Sequence, residues 1–388
     1  MFKRFILITL LILAILASGV LLLNKDGSYS GIRTSISVSG ALSGDDTAGY
    51  KRALAPKKFV FPRDYGPHPD YKTEWWYFTG NLETQEGRHF GFQLTIFRTA
   101  VSPDSLRGTS SWRSNQIYMG HFTLTDVESD QFYSFERFSR GANNLAGASP
   151  SPFKVWLENW LIDGSSGKTS RGIPEVHLMA EQNGVAIDLN LISLKPVVLQ
   201  GNNGLSQKGP EPGNASYYYS LTRLNSSGRI KILDNNFEVK GLSWMDREWS
   251  TSALSKNQAG WDWFSLQLNN GTELMYYQMR KKDGNPDQFS RGIIVNNNGT
   301  TVPVAKEDVK LSITGKWQSP GGGSYPSGWR LRIPKEKIDL YITPYIPNQE
   351  LNVSIHYWEG AVKITGISGG KSISGSGYVE LTGYEKAL

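Results

Sequence analysis

The sequence contains no cysteine among its 388 residues. Disulfide bonds, thiol nucleophiles and thiolate metal sites are therefore excluded. Histidine is also scarce, and the five histidines show no metal-ligand spacing such as HExxH. They are His68, His89, His121, His177 and His356. We therefore expect neither a metal nor a cofactor.

Basic runs of five or more residues are missing, although the formal net charge is +6. Spread charge is typical of a solvated surface, so we expect no nucleic-acid partner. GISGG at 366–370 matches G-x-S-x-G, but its surroundings lack the helix that a nucleophile elbow requires. GGKS at 369–372 lacks the first glycine of a phosphate loop. Neither motif predicts a hydrolase or nucleotide site.

Long amphipathic helices are absent as well, and the composition favours an all-β protein. Aromatic residues make up 12% of the chain, and 41 Gly and 18 Pro supply many turns. From Phe59 onwards, short β-like runs alternate with clusters of Gly, Asn, Asp and Pro. The length suggests two domains or one large β architecture.

The N-terminus carries the only long apolar run that we find. Lys3 and Arg4 precede an apolar stretch over residues 5–23, the layout of a secretory signal peptide or a transmembrane anchor. At ~1.5 Å per residue this stretch would span ~28 Å, enough for a bilayer core. Small residues at 17–19 suit a signal peptidase, but three leucines follow them. Either alternative predicts export to the periplasm, free or anchored to the inner membrane.

The remaining chain divides into three expected parts. Residues 24–57 are rich in Ser, Gly, Ala, Asp and Lys and predict a flexible linker. An N-terminal domain is expected over 58–237 and a C-terminal domain over 238–388. The turn-rich segment 201–216 is either a mobile loop over a site or an ordinary connection.

The stretch HPDYKTEWWYFTG at 68–80 predicts a strand with aromatic residues on both faces. It forms a hairpin with RHFGFQLTIFR if Leu82 pairs with Phe90. Glu74 then lies opposite Arg98, and we expect these two residues to form a structural ion pair. One face of the hairpin would pack a barrel core, and the other would line a ligand cavity or meet the second domain.

A second hairpin is predicted by WDWFSLQLNNGTELMYYQMR, residues 261–280. Asn270-Gly271 is a strong signal for a two-residue type I′ turn, whose central positions both need positive φ. This turn would place Asp262 opposite Met279 across the hairpin.

Asp262 is the first candidate for chemistry. The predicted register places it on one face with Phe264, Tyr277 and Met279. A carboxyl group among such side chains is costly to ionise, so it could keep a proton at neutral pH. Aromatic faces nearby could stabilise a carbocation, which suits acid-catalysed addition or rearrangement at a C=C bond. The alternative is that Asp262 ends a strand and bonds water, a turn or an arginine.

GLSWMDREWS, residues 241–250, supplies a second candidate. Asp246, Arg247 and Glu248 lie between two tryptophans in a strand-like run, where charges are unusual. Alternation places Asp246 and Glu248 on the face of the first tryptophan. The segment therefore predicts either a catalytic site with Asp246 and Glu248 or an ion-pair network between domains. Across these stretches, the expected ligand-binding residues are Trp75, Tyr77, Trp244, Trp249, Phe264, Tyr277 and Met279.

Several ordered motifs carry a resemblance to a known family. They are HPDYKTEWWYFTGNL, FGFQLTIFR, GHFTLTD, GNASYYYSLTRL, GLSWMDREWS, GWDWFSLQLNNGTELMYYQMR, YWEGAVKITG and GSGYVELTGY. Together they resemble the AttH and carotenoid 1,2-hydratase family, from about residue 58 to 384, and the likeness to AttH is the closer one. The resemblance implies two consecutive lipocalin-like antiparallel β-barrel domains. Many AttH-like proteins have a His where this chain has Arg247, which stays charged and cannot take over a proton-transfer role.

The resemblance also implies an apolar ligand. The first hypothesis is an exported protein that binds an isoprenoid or lipid and acts as a hydratase of the carotenoid 1,2-hydratase type, adding water to a C=C bond or isomerising it. The alternative is a non-catalytic periplasmic carrier or accessory component of an ABC transport system, with permease subunits as partners. A purely structural accessory role is the third hypothesis. In either functional reading the N-terminal segment would contact the inner membrane.

Overall fold

The computed structural model describes residues 36–37, 47–104, 110–252 and 254–384. The apolar run at 5–23 lies outside the described residues. Within them, no helix is both long and apolar enough to cross a membrane. The fold is all-β and lipocalin-like, as predicted, with two large antiparallel sheets. Three short 3-10 helices accompany them: Arg63–Tyr65, Lys306–Asp308 and Pro334–Glu336.

The described residues form the following strands. In chain order they are β1 (Ile36–Ser37), β2 (Thr73–Glu83), β3 (His89–Ala100), β4 (Gln116–Asp126), β5 (Gln131–Arg140), β6 (Ala146–Pro150), β7 (Phe153–Leu157), β8 (Trp160–Asp163), β9 (Val176–Gln182), β10 (Val185–Ser193), β11 (Val198–Leu199), β12 (Leu205–Gln207), β13 (Ala215–Ile232), β14 (Asn235–Ser250), β15 (Gln258–Leu268), β16 (Glu273–Lys281), β17 (Arg291–Val295), β18 (Thr301–Ala305), β19 (Lys310–Ile313), β20 (Lys316–Gln318), β21 (Ser324–Pro326), β22 (Trp329–Ile333), β23 (Ile338–Pro344), β24 (Glu350–Asn352), β25 (Ile355–Ser368) and β26 (Lys371–Leu381).

Strand pairing gathers these elements into two main sheets. The first sheet has the order β5-β4-β3-β2-β14-β13-β10-β9-β8-β7-β6, with β11 and β12 added on β13. The second has the order β18-β17-β16-β15-β26-β25-β23-β22-β19, with β1 and β24 added on β25. Strands β20 and β21 form a small separate pair. Each main sheet packs its own apolar core, and a third apolar layer combines residues of both sheets.

The first hairpin, β2–β3, has the predicted register. Leu82 pairs with Phe90, and Glu74 pairs with Arg98, so this prediction is confirmed. Trp76 is fully buried in the core of the first sheet. Tyr77, one residue later, lies in the layer between the sheets. The strand is therefore aromatic on both faces because both faces are covered.

The register predicted for the second hairpin, β15–β16, was wrong by one residue. The Leu268 N–H donates to the Thr272 carbonyl at 2.8 Å, and the Gly271 N–H donates to the Leu268 carbonyl at 3.1 Å. Gly271 has a φ of 80°, whereas Asn270 is not among the residues with positive φ. The loop therefore has three residues, with glycine in the left-handed position, instead of the two-residue type I′ turn.

The extra loop residue moves every side chain of β16 to the opposite face relative to β15. Asp262 consequently lies opposite Gln278, and Trp261 lies opposite Met279. Tyr277 and Met279 join the layer between the sheets. Phe264 and Leu266, which share the Asp262 face by alternation, belong to the core of the second sheet.

The chain passes from the first sheet to the second after Ser250, whereas the sequence placed the domain boundary between 237 and 238. The whole of β14 pairs with β13 and β2 in the first sheet. The folded body also begins before residue 58. Ala53 is buried, and the Ala55 carbonyl accepts a hydrogen bond from Tyr217 at 2.9 Å. Residues 47–57 are thus packed on the first sheet rather than forming part of a free linker.

We predict that Gly271→Ala lowers the free energy of unfolding by about 2 kcal/mol, because it combines left-handed strain with a collision. An added Cβ would lie 2.2 Å from Asn297 Oδ1. Gly284→Ala is the matched control, since its φ is 83° and nothing lies within 4 Å of its Cβ. It should cost about 1 kcal/mol, from strain alone. Chemical denaturation measures both, and equal costs would show that the contact with Asn297 does not constrain the turn.

Candidate functional site

A cavity of about 340 Å³ lies in the layer between the two sheets. Residues of β2, β3, β4 and β14 form one wall, and residues of β15, β16, β25 and β26 form the other. Its walls are largely apolar and aromatic, which is typical of sites for apolar ligands. The main aromatic and thioether residues are Trp75, Tyr77, Phe97, Met119, Tyr218, Trp261, Trp263, Tyr277, Met279 and Tyr357.

Strand alternation explains which residues reach the cavity. Residues 73, 75 and 77 of β2 line it, whereas Trp76 points into the core of the first sheet. On β15 the same rule selects Trp261 and Trp263. The ring of Trp263 meets Tyr77 edge-on, with centroids 5.3 Å apart. The aromatic wall is therefore assembled from both sheets.

Asp246 is a buried carboxyl group in the cavity wall. Its Oδ1 accepts hydrogen bonds from Ser220 at 2.5 Å and from the Trp244 indole at 2.7 Å, and its Oδ2 accepts one from Tyr218. Burial raises the pKa of Asp246 to about 7, although these three donors favour the charged form. Asp246 can therefore change its protonation state close to neutral pH.

Glu359 and Glu380 form a second acidic group. They lie directly opposite each other on β25 and β26, so their side chains share one face of the sheet. Burial, together with the charge on Glu380, raises the pKa of Glu359 well above its ordinary value. Burial also raises the pKa of Glu380 to about 7, against the hydrogen bond that Trp261 donates to it at 2.6 Å. Two neighbouring buried carboxyl groups disfavour double ionisation, so the pair retains a proton at neutral pH.

Lys208 supplies an ammonium group to the cavity wall. Its Nζ lies 3.2 Å from Glu248 Oε1 and 4.4 Å from the centre of the Tyr277 ring. Burial disfavours the ammonium form, but the Glu248 carboxylate outweighs this effect and the pKa of Lys208 is raised. Lys208 belongs to the turn-rich segment 201–216. That segment therefore contributes a residue to the site.

Charge balance defines what this arrangement can do. The carboxyl groups of Asp246, Glu248 and Glu380 line a cavity in which Lys208 is a lining cation, and Glu359 lies opposite Glu380 on the neighbouring strand. Protons retained by these carboxyl groups reduce the net negative charge of the site. The cavity therefore holds proton donors next to aromatic ring faces. In the described residues, no group of three or more His, Asp or Glu side chains is arranged to hold a metal ion.

His121 and Tyr357 also line the cavity. His121 Nδ1 lies 2.8 Å from the Tyr357 hydroxyl, and its Nε2 lies 3.1 Å from Glu136 Oε1. Tyr357 is two residues from Glu359 on β25, and burial together with the charge on Glu359 raises the pKa of Tyr357 well above its ordinary value. These contacts fix the orientation of His121 and Tyr357 beside the acidic pair.

The structure places four of the seven predicted ligand-binding residues on the cavity wall. Trp75, Tyr77, Tyr277 and Met279 line it. Trp244 lies behind Asp246 and donates a hydrogen bond to it. The other two, Trp249 and Phe264, belong to the cores of the first and second sheets.

Of the three predicted catalytic residues, Asp246 and Glu248 line the cavity and Asp262 does not. Asp262 lies on the core face of the second sheet, where Arg280 Nε is 2.8 Å from its Oδ1. Tyr384 donates a hydrogen bond to its Oδ2 at 3.1 Å. Asp262 is therefore bound by an arginine, which is one of the structural alternatives that the sequence left open for it.

Glu74 and Arg98 form an ion pair inside the first sheet. Arg247 also contacts Glu74, and its guanidinium lies 4.0 Å from the Trp76 ring centre. Burial alone would raise the pKa of Glu74, but Arg247 and Arg98 hold it below its ordinary value. Arg247 therefore neutralises a buried carboxylate on the side of β14 opposite Asp246.

Sequence reasoning missed Glu359, Glu380 and Lys208. Glu359 follows a tryptophan in YWEG, a charged residue within an aromatic strand, which is the pattern that singled out Asp246. Glu380 in YVELTGY shows the same signal more weakly. Lys208 gave no signal, because a lysine in a turn-rich segment is ordinarily solvated.

The fold and this cavity define a class of protein: a two-sheet, lipocalin-like β-protein with an acidic, aromatic site between its sheets. The profile of the AttH-like family matches residues 52–384. The chain belongs to the AttH-like family.

Solved structures show the same architecture. An AttH candidate from Nitrosomonas europaea is 34% identical, with a TM-score of 0.73 over 85% of this chain and 100% of its own. A kievitone hydratase from Nectria haematococca is 15% identical, with a TM-score of 0.66 over 86% of this chain and 96% of its own. CghA, solved with Sch210972, is 11% identical, with a TM-score of 0.54 over 92% of this chain and 99% of its own. No curated protein matches the chain.

We predict that Asp262→Asn lowers the free energy of unfolding by about 3 kcal/mol, because it leaves the largely buried Arg280 guanidinium without its carboxylate. The matched control is Asp339→Asn, which breaks a partly exposed pair with Arg330 of similar length, 2.7 Å. That change should cost less than about 1 kcal/mol. Chemical denaturation distinguishes the two. A cost for Asp262→Asn as small as the control would contradict a structural ion pair.

The raised pKa of Glu380 predicts a pH dependence of stability. The folded state holds the proton more tightly than the unfolded chain, so this contribution is fully present below about pH 4.5 and is lost as the pH rises to about 7. Glu380→Gln removes the titration. Between these pH values, the unfolding free energy of wild type should fall relative to the variant by at most about 3 kcal/mol. Denaturation curves across this range measure the difference, and parallel profiles would contradict it.

Proposed function

We propose that this AttH-like protein binds an apolar, unsaturated ligand such as an isoprenoid or lipid between its sheets and protonates a C=C bond, adding water to it or isomerising it. The observation that carries the proposal is the Glu359–Glu380 pair, a buried acid that keeps a proton at neutral pH beside an aromatic cavity. The kievitone hydratase with the same fold supports hydration as the reaction class.

The acidic pair supplies the proton. Glu380 lines the cavity and transfers its proton to one carbon of the double bond, and the π electrons form the new C–H bond. The other carbon becomes a carbocation, and the Glu380 carboxylate is left behind. The aromatic ring of Trp263 stabilises this positive charge, as do the carboxylates around the cavity.

Asp246 completes the addition. A water molecule attacks the carbocation, forms the C–O bond and loses one proton to the Asp246 carboxylate, which is held by Ser220, Tyr218 and Trp244. The proton then returns from Asp246 to Glu380, and the net change is the addition of one water. In isomerisation, the carbocation instead loses a proton from a neighbouring carbon to Asp246.

Deuterium incorporation tests the proton transfer without knowledge of the natural ligand. Wild type is incubated in D₂O with an acyclic carotenoid or a prenylated isoflavonoid, and mass spectrometry records deuterium on carbon and the gain of water. Glu380→Gln should reduce incorporation by about 100-fold or more, because the amide cannot donate the proton. Asp262→Asn is the control, a change at a buried acid outside the cavity, and should retain incorporation in the folded fraction.

The possible outcomes of this experiment distinguish the enzyme hypothesis from the carrier hypothesis. Unchanged incorporation in Glu380→Gln would contradict Glu380 as the acid. Ligand that co-purifies in native mass spectrometry, without deuterium on carbon for any probe, would contradict the enzyme and favour the carrier for an ABC transport system. A cavity that binds none of these probes would contradict both.

A further inference from the structure

Exposed apolar side chains within the cavity lining mark the open side of the cavity, and two more lie nearby along the chain. Ile117 and Phe138 line the cavity and yet are 38% and 53% exposed. Val101 is 59% exposed and follows cavity-lining Thr99 by two residues, so alternation places it on the same face. Trp112, in the β3–β4 connection, is 62% exposed. We call Val101, Trp112, Ile117 and Phe138 the rim.

The described N-terminal residues reach the body of the protein beside this rim. Ile36 and Ser37 pair with Ile355 and His356, and Ile355 lines the cavity. Further along the chain, the Tyr50 hydroxyl donates to the Ala100 carbonyl at 2.9 Å, next to Val101. Both attachments therefore lie beside residues that line the cavity, Ile355 and Thr99.

We propose that the rim seats on a lipid bilayer, so that the open side of the cavity faces the membrane and an apolar ligand passes directly between the leaflet and the site. The N-terminal sequence of the chain favours a lipid bilayer as the partner of the rim. The apolar run at 5–23, with its preceding Lys3 and Arg4, has the length and composition of a bilayer-spanning segment.

Chain length restricts where such an anchor can hold the protein. Thirteen residue steps separate residue 23 from residue 36, which pairs with β25. Fully extended, they span at most about 45 Å. A bilayer that holds the apolar run is thus kept within that distance of residue 36, whose partner Ile355 lines the cavity.

The chemistry of the rim suits the membrane interface. Tryptophan and phenylalanine are side chains that lie favourably at the boundary of headgroups and acyl chains. Arg140 is exposed, follows Phe138 by two residues and can contact lipid phosphates. Direct transfer spares an apolar ligand the cost of crossing water. The proposal holds whether the cavity is catalytic or only carries its ligand.

The absence of cysteine allows a direct test with the full chain. Trp112→Cys or Phe138→Cys introduces a single cysteine, which is labelled with an environment-sensitive fluorophore. The labelled protein is then reconstituted into vesicles of phosphatidylethanolamine and phosphatidylglycerol. The labels should shift to the blue and be quenched by nitroxide-labelled lipid. Matched labels at Leu233 and Ile367, which are 62% and 51% exposed and lie at the far ends of β13 and β25, should do neither.

Any of three other results would contradict the proposal. Rim labels that stay as water-exposed as the controls show that the rim does not touch lipid. Blue-shifted rim labels in detergent-free buffer without vesicles show that a protein segment or a second copy covers the rim. Equal quenching at all four positions shows adsorption without orientation. Because no turnover is measured, failure here leaves the proton-transfer test unaffected.

Discussion

The desolvation of carboxyl groups between the two sheets is the physical constraint on which the site depends. Asp246 and Glu359 are buried. Asp246 and Glu380 line a cavity whose walls are mostly aromatic. In such surroundings a charge is costly, so the carboxyl groups compete for few compensating partners and hold protons up to neutral pH. A site inside one barrel would have replaced part of the packed apolar core of that barrel. Placing it between two completed cores leaves both intact.

Polar contacts across the same layer hold the sheets in fixed positions. Glu273 of β16 is fully buried and pairs with Arg223 of the first sheet and with Lys195. Gln267 donates to the Thr222 carbonyl at 2.8 Å and to the Ser243 carbonyl at 3.0 Å. These contacts satisfy groups that would be costly to bury alone, and a sheet that moved would leave them unpaired. The geometry of the acidic site is thereby fixed by groups outside it.

The two hairpins show how far sequence reasoning reached. For β2–β3, a clear apolar face set the register of Leu82 with Phe90. For β15–β16, both faces are apolar, so the pattern could not correct the turn assigned to Asn270-Gly271, and one residue of loop length misplaced Asp262. Asp246 and Glu248 were found because charges within an aromatic strand are unusual on any register. Trp249 was assigned to the ligand, although alternation alone already placed it on the opposite face from Asp246.

The sequence by itself determined the all-β class, the resemblance to AttH-like proteins and the strands that carry Asp246 and Asp262, because alternation, turn residues and charges within aromatic strands are local signals. Only the tertiary structure decided which acids act together. Glu359 and Glu380 become neighbours through strand pairing, and they meet Asp246 because one sheet packs on the other. Such contacts depend on register and on the orientation of whole sheets, and no short stretch of sequence records either.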